Sequence, residues 1–302
     1  MAKFSLIDSP ITDLDDDSLD ISRYVVAMHT FIKGCDTPLT IGIQGDWGIG
    51  KTSFLNMLCD KFTKTRGRET RCHTIYFNTW QYSQFKQEET LSLSILQGIV
   101  ANIEELASED GKGDREKIVS GAKKFGKFVT SLGNQVVKSQ TGVDLAAASK
   151  TLGEADDSPE LVSLIKEAKS QFEALVNALI ESNISDKLII IIDDLDRLKP
   201  IRALEFLEAI KNFLDVPGCV FLIAVDYAVI QRGMEEKLGR SAREMQGKSY
   251  FDKIIQVPFN MPTNAYKTDS YIMSMLGWVK AGVALVDSST TVSDLSAHLL
   301  PD

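Results

Sequence analysis

The feature that most constrains the fold of this chain is a glycine-rich stretch, GDWGIGKT, at residues 45–52. It follows a short apolar run at 39–44 and opens a stretch with helical spacing that begins at Lys51. The pattern GxxxxGK[ST] between a strand and a helix is typical of a loop that wraps phosphate groups. The sequence therefore predicts a strand–loop–helix unit whose loop binds a nucleoside triphosphate.

Each part of this phosphate loop has a chemical reason. Gly45 and Gly50 are expected to allow turns that point backbone N–H groups at phosphate oxygens, in front of a positive helix N-terminus. Lys51 is expected to place its ammonium on the outer phosphates, and the Thr52 hydroxyl is expected to bind Mg²⁺. The expected nucleotide contacts are Gly45, Asp46, Trp47, Gly48, Ile49, Gly50, Lys51, Thr52 and Ser53.

A second apolar run, at 188–192, ends in the acidic string DDLDR at 193–197. A magnesium–triphosphate site needs such a carboxylate at the end of a strand, so Asp193 is the expected Mg²⁺ ligand, directly or through water. Asp194 is expected to polarise the attacking water as a catalytic residue. The alternative interpretation is a buried strand followed by a solvated acidic turn.

Other polar residues follow predicted strands. Asn78 is a candidate catalytic residue that would orient water. Asp226 either reaches the γ-phosphate side of the nucleotide or caps the following helix. Asp196 and Arg197 are interpreted as an ion pair that ties their loop to the next helix.

Apolar strand-like runs alternate with helical stretches along most of the chain, which predicts an α/β fold with a parallel sheet covered on both faces. Such a sheet binds its ligand at the carboxyl ends of the strands. The predicted strands lie at 39–44, 74–77, 188–192, 220–225 and 254–257, the last ending at Pro258.

The interval 108–158 interrupts this alternation, and it contains a predicted basic amphipathic helix at 117–138. Such a helix either lies on an anionic membrane surface or in a partner's groove, or packs on its own domain with its lysines in water. Its apolar stripe comprises Ala122, Phe125, Val129, Leu132 and Val136, and the opposite side carries Lys117, Lys124, Lys127 and Lys138.

Composition excludes several classes of function. A net charge of −9 argues against sequence-blind binding to nucleic acid, although a local basic patch would be compatible with it. The four cysteines lack the spacing of a zinc site or a disulfide framework. The N-terminus lacks a signal-peptide pattern, and each apolar run is far shorter than the roughly 20 residues of a membrane span, so a cytoplasmic protein is expected.

With these residues in hand, the chain resembles the KAP family of P-loop NTPases. A tryptophan inside the loop, an N-x-W segment and the DDLDR string occur there together. Trp47 is interpreted as a packing or gating residue, and Trp80 as a core residue. The matching segments are IGIQGDWGIGKTSFL (41–55), YFNTWQYSQF (76–85), IIIIDDLDRL (189–198), VFLIAVDYAVI (220–230) and YFDKIIQVPF (250–259).

The resemblance implies a three-layer fold of the additional-strand type, in which a further strand separates the phosphate-loop strand from the acidic strand. It also implies ATP as the usual nucleotide and, frequently, a role in prokaryotic defence against phages and plasmids. The expected organisation is an acidic tail at 1–17, an NTPase domain at 18–107 and 159–262, an insertion at 108–158, and a helical part at 263–302 that is short beside the longer C-terminal extensions common in the family.

These observations lead to an ATPase hypothesis, in which hydrolysis drives conformational switching or assembly with copies of the chain or with partner proteins. The alternative is a nucleotide-dependent scaffold with negligible turnover, for which Asp194 would have no catalytic task. A kinase would need an arginine-rich lid, which is not evident, and GTP is not excluded as the nucleotide. The candidates for an arginine finger supplied to a neighbouring subunit are Arg232, Arg240 and Arg243.

Overall fold

The computed structural model describes residues 9–65, 71–84, 91–109, 115–138, 159–239, 251 and 253–268. Its helices are α1 (Ser22–Gly34), α2 (Lys51–Thr65), α3 (Thr79–Gln84), α4 (Leu91–Glu109), α5 (Arg115–Lys138), α6 (Pro159–Glu181), α7 (Pro200–Ile210) and α8 (Tyr227–Leu238). Its strands are β1 (Leu39–Gln44), β2 (Cys72–Asn78), β3 (Lys187–Asp193), β4 (Cys219–Val225) and β5 (Val257–Asn260). The predicted C-terminal helical part beyond residue 268 and the predicted tail before residue 9 lie outside these ranges.

The five described strands form one parallel sheet in the order β2-β3-β4-β1-β5. The predicted α/β fold is therefore confirmed, and β4 is the additional strand between β1 and β3. Gln44 at the end of β1 pairs with Val225 of β4, and Asn78 at the end of β2 pairs with Asp193 of β3. This register brings the residues that follow β1, β3 and β4 to one edge of the sheet.

The core lies on both faces of this sheet, as the continuous apolar strands predict. Along β3 the side chains alternate between the faces. Ile190 and Ile192 belong to the cluster formed with α4 to α8, whereas Ile189 and Ile191 belong to the cluster formed with α1 and α2. All seven residues of β4 are buried, as expected for the central strand.

Helix α1 ends at Gly34, and a side chain from the sheet holds its C-terminus. The Nζ atom of Lys187, at the start of β3, donates to the carbonyl oxygens of Ile32 (3.0 Å), Lys33 (2.9 Å) and Cys35. A cation at this end satisfies carbonyls that have no partner within the helix and complements the helix dipole.

The apolar side of α5 packs inside the protein. Ala122, Phe125 and Val129 are fully buried, and the Phe125 ring stacks on Phe172 of α6 with ring centroids 6.0 Å apart. Lys124 and Lys127 are exposed. The structure thus supports packing on the domain rather than a stripe that is free for a membrane or partner. The side chains of Leu132, Val136, Lys117 and Lys138 lie outside the described part, as do residues 110–114 and 139–158.

None of the helices within the described ranges is both long and apolar enough to cross a membrane.

The last predicted strand, at 254–257, is wrong in its position, because β5 runs from Val257 to Asn260. Ile255 packs against Gly42 instead, where an added Cβ would lie 2.9 Å from Ile255 Cγ2. Pro258 therefore lies inside the strand rather than ending it. Proline has no N–H to donate, but an edge strand such as β5 tolerates this.

Gly233→Ala is expected to destabilise the domain, because a Cβ at Gly233 in α8 would lie 2.2 Å from the Pro200 carbonyl oxygen of α7. Such overpacking lowers the free energy of unfolding by about 1–3 kcal/mol. Gly121→Ala in α5 is the matched control. Its nearest neighbour, Leu175 Cδ1, would be 3.7 Å away, so helix propensity should leave stability unchanged or about 1 kcal/mol higher. Urea denaturation measures both, and equal stabilities would contradict close packing of α7 on α8.

Candidate functional site

The phosphate loop joins β1 to α2, and its glycines meet two different requirements. Gly48 (φ +81°) and Gly50 (φ +95°) have positive φ angles, which glycine adopts without strain. Gly45 is instead limited by space, because an added Cβ would lie 2.8 Å from Ile49 Cγ2 and 3.3 Å from Met261 Cβ. Next to Gly48 and Gly50 the space is open, with no heavy atom of the described residues within 4 Å of an added Cβ.

Lys51 lies at the start of α2 with its ammonium turned into the loop. Its Nζ atom donates to the carbonyl oxygens of Gly45 (2.8 Å) and Asp46 (3.0 Å). It also lies 2.7 Å from Asp196 Oδ2, and both side chains of this ion pair are buried. The prediction that Asp196 ties its loop to the next helix is therefore wrong. The short 3₁₀ turn after β3, Leu195–Arg197, instead carries Asp196 to the phosphate loop.

Asp193 ends β3 and is buried, with 1% of its surface exposed. Its Oδ2 atom accepts a hydrogen bond from the Tyr76 hydroxyl at 2.5 Å, and its Oδ1 atom accepts one from the backbone N–H of Asp194 at 2.8 Å. Burial, and then the charge of Asp193, raise the pKa of Tyr76 above its ordinary value. The hydroxyl therefore keeps its proton and remains a donor to the carboxylate.

Asp194 is held by two neighbours on either side of its carboxylate. Asn78 Nδ2 donates to Oδ2 at 2.6 Å, and Arg197 Nε lies 2.6 Å from Oδ1. The backbone of Asp194 is left-handed (φ +60°), which turns the chain sharply after β3. Burial and the charge of Asp193 raise the pKa of Asp194, whereas Asn78 and Arg197 act in the opposite direction. The result is a buried carboxylate in a defined orientation beside Asp193.

Arg197 also contacts the segment that follows β2. Its guanidinium lies over the Trp80 ring, 5.1 Å from the ring centroid, and Trp80 remains 38% exposed. Core packing of Trp80 is therefore a wrong prediction, as is the ion pair between Arg197 and the next helix. A cation above an indole ring is a favourable electrostatic contact, and here it braces the guanidinium that holds Asp194.

Segments from both ends of the described chain contact the phosphate loop. The Tyr266 hydroxyl donates to the Ile49 carbonyl oxygen at 2.8 Å, and the Met261 N–H donates to the Gln44 carbonyl oxygen at 2.8 Å. From the N-terminal side, the Ile11 N–H donates to Ser53 Oγ at 3.3 Å. No sequence motif indicated these contacts, because they join residues more than 40 positions apart or follow from the course of the chain after β5.

The remaining predicted site residues include Asp226, Trp47 and Arg232. Asp226 caps α8 by accepting the Ala228 N–H at 2.8 Å, which supports the capping alternative. Trp47 is 76% exposed, so packing within the described part does not explain it. Arg232 is exposed on α8, and its Nε atom donates to the Ala228 carbonyl oxygen at 3.2 Å. The other two arginine candidates, at 240 and 243, lie outside the described residues.

The donors present fit a magnesium–nucleotide complex. Thr52, in the first turn of α2, and Asp193 follow β1 and β3, which are separated by one strand and hence by about 10 Å. Within the described residues, no group of three or more His, Cys, Asp or Glu side chains could hold a metal on its own. Mg²⁺ is commonly bound by one or two oxygen ligands from the protein, while substrate phosphates and water complete its coordination.

Comparison with known proteins agrees with this geometry. The family model described as "KAP family P-loop domain" matches residues 19–281. The chain is also 24% identical over 236 residues to the "Phage T7 exclusion protein" of Escherichia coli (strain K12). That match covers 74% of this chain but 30% of the relative, so the chain spans about a third of the length of that protein.

Tyr76→Phe is expected to lower the free energy of unfolding by about 1.5–3 kcal/mol, because the buried Asp193 carboxylate loses a charge-assisted hydrogen bond. Tyr24→Phe is the control, since the Tyr24 hydroxyl makes no hydrogen bond within the described residues. Guanidinium chloride denaturation compares the two variants with the unmodified protein. Losses of the same size in both would mean that the Tyr76 hydroxyl contributes nothing specific to Asp193.

Proposed function

Because the chain belongs to the KAP family of P-loop domains, we propose that it binds ATP with Mg²⁺ and hydrolyses it to ADP and phosphate. The observation that carries this proposal is the meeting of three charged side chains at one edge of the sheet. Lys51 lies in the phosphate loop, while Asp193 and Asp194 end the acidic strand, and all three are buried. Burial and the charge of Asp193 raise the pKa of Asp194, and groups perturbed in this way are concentrated at functional sites, so this convergence supports a ligand-binding task.

The residues divide the work as follows. The loop N–H groups and the α2 N-terminus bind the phosphates, and Lys51 adds its charge to the outer ones. Thr52 and Asp193 would hold Mg²⁺, which neutralises phosphate charge in the transition state. Trp47 lies within the loop, Ser53 directly follows it, and Asp226 directly follows β4, the strand between β1 and β3.

Asp194 is the proposed catalytic base that orients and polarises water. The hydrogen bond from Asn78 and the ion pair with Arg197 fix the plane of its carboxylate. Each carboxylate oxygen has a second lone pair, so an attacking water can still donate to it. A raised pKa brings the group closer to the range in which a base works well. This arrangement favours an enzyme over a scaffold with negligible turnover, which would have no use for an oriented Asp194.

For the biological role, we propose that hydrolysis drives conformational switching or assembly in bacterial defence against phages. The support is the similarity to a phage exclusion protein, together with the membership of the family. Self-association or partner proteins would then supply the output, with Arg232 as a candidate arginine finger for a neighbouring subunit. Its exposed position on α8 is compatible with that task.

Lys51→Ala is expected to weaken ATP binding by roughly 10- to 150-fold, because a charge-assisted contact to phosphate contributes about 1.5–3 kcal/mol. Titration with a fluorescent ATP analogue measures the affinity, and circular dichroism verifies that the variant is folded. Lys64→Ala, at an exposed lysine of the same helix, should bind as the unmodified protein does. Unchanged affinity in folded Lys51→Ala would remove this lysine from the site.

The two adjacent carboxylates are expected to fail in different ways. Asp193→Asn should weaken Mg²⁺-dependent binding, since the metal loses its acidic ligand. Asp194→Asn should leave binding nearly intact and slow hydrolysis by about 10²- to 10⁴-fold. Equilibrium binding with and without Mg²⁺, together with phosphate release at saturating ATP, separates the two effects. If turnover of the unmodified protein is already negligible and Asp194→Asn does not change it, the scaffold is the better description.

A further inference from the structure

We propose that Asp196 competes with the nucleotide phosphates for the Lys51 ammonium, so that this carboxylate controls the affinity of the protein for nucleotide. The inference rests on the proposed function, because it requires that nucleotide binds at the phosphate loop. It concerns a residue, Asp196, that belongs neither to the phosphate-loop motif nor to the expected magnesium ligands.

The first observation is that three oxygen atoms surround the Lys51 ammonium. An ammonium group has three N–H donors. Three oxygen atoms lie within 3.0 Å of Nζ: the carbonyl oxygens of Gly45 and Asp46, and Oδ2 of Asp196. A phosphate oxygen that accepts from the third donor would therefore compete with Asp196, whose contact with Lys51 is an ion pair rather than a hydrogen bond.

The second observation is that Asp196 is the charged competitor. The two carbonyl oxygens belong to the loop itself and are neutral, whereas Asp196 comes from the turn after β3 and carries a full negative charge. Its side chain is only 4% exposed, and that of Lys51 7% exposed, so water screens the pair weakly. The negative charge of Asp196 stabilises the Lys51 ammonium, and the same charge repels the phosphates of an approaching nucleotide.

The neighbouring residues show why this carboxylate is separate from the catalytic pair. Arg197 forms an ion pair with Asp194, and the Tyr76 hydroxyl donates a hydrogen bond to Asp193, so these two carboxylates have partners of their own. Asp196 forms its ion pair with Lys51. The first two carboxylates of the DDLDR string therefore lie at the proposed catalytic edge, whereas the third contacts the phosphate loop through Lys51.

Removing the charge of Asp196 should therefore change binding in a specific way. Asp196→Asn should bind ATP more tightly than the unmodified protein, by roughly 10- to 150-fold when Mg²⁺ is chelated, the range expected for one charge-assisted contact. The gain should be smaller with Mg²⁺, because the metal already neutralises part of the phosphate charge. If Asp196 instead supported Mg²⁺, the substitution would weaken binding only when the metal is present.

The experiment is isothermal titration calorimetry with ATP, in EDTA and in Mg²⁺, on the whole chain. Asp196→Glu keeps the charge and should bind with nearly the affinity of the unmodified protein. Asp215→Asn is the matched control, because Asp215 pairs with Lys169 (2.6 Å) at an exposed position. This control should not change ATP affinity in either condition.

Thermal unfolding provides a readout that is independent of binding data and of activity. Without nucleotide, Asp196→Asn should melt at a lower temperature, because a buried Lys51 has lost its counter-ion. Saturating ATP should raise its melting temperature by more than it raises that of the unmodified protein, since tighter binding to the folded state stabilises it further. Asp196→Ser removes the same charge with a smaller side chain and replaces Asp196→Asn if that variant does not fold.

The outcomes separate this inference from the proposed function. If the unmodified protein binds no ATP in either condition, the proposed function fails and the inference falls with it. If it binds ATP but neither neutral variant binds more tightly in EDTA, competition by Asp196 is wrong and the nucleotide site stands. Tighter binding in both neutral variants, with Asp196→Glu and Asp215→Asn unchanged, establishes the competition.

Discussion

The pairing of β4 between β1 and β3 is the constraint on which the rest of the site depends. Parallel strands end at the same edge of a sheet, so this pairing sets the phosphate loop and the acidic string about 10 Å apart with their ends aligned. A gap of that size is too wide for direct contact between the two main chains. The long side chain of Lys51 bridges it to Asp196.

Each of the three carboxylates at this edge has partners of its own, although the charge of Asp193 also raises the pKa of Asp194. Tyr76 donates to Asp193, Asn78 and Arg197 hold Asp194, and the remaining acid faces Lys51. Each buried carboxylate thereby has a partner that offsets the cost of removing it from water.

The phosphate loop is also mechanically connected to distant parts of the chain. Tyr266 and Met261, after the edge strand, donate to carbonyl oxygens in and beside the loop, while Ile11 donates to Ser53 in its first helical turn. Lys267 further joins these two segments, since its N–H donates to the Leu19 carbonyl oxygen and its ammonium pairs with Asp20. Any movement of the loop would therefore be transmitted to these two segments.

The sequence by itself determined the strand–loop–helix unit, the parallel α/β class and the residue types at the strand ends, because these follow from local periodicity and from short-range backbone geometry. It also predicted the helix in the insertion and both interpretations of its apolar stripe. Only the tertiary structure decided between those interpretations, since burial of Phe125 depends on α6, which follows much later in the chain. Tertiary structure likewise decided the partners of Asp196 and Trp80, and it shifted β5 past Ile255, because contacts between residues more than 100 positions apart leave no local pattern in the sequence.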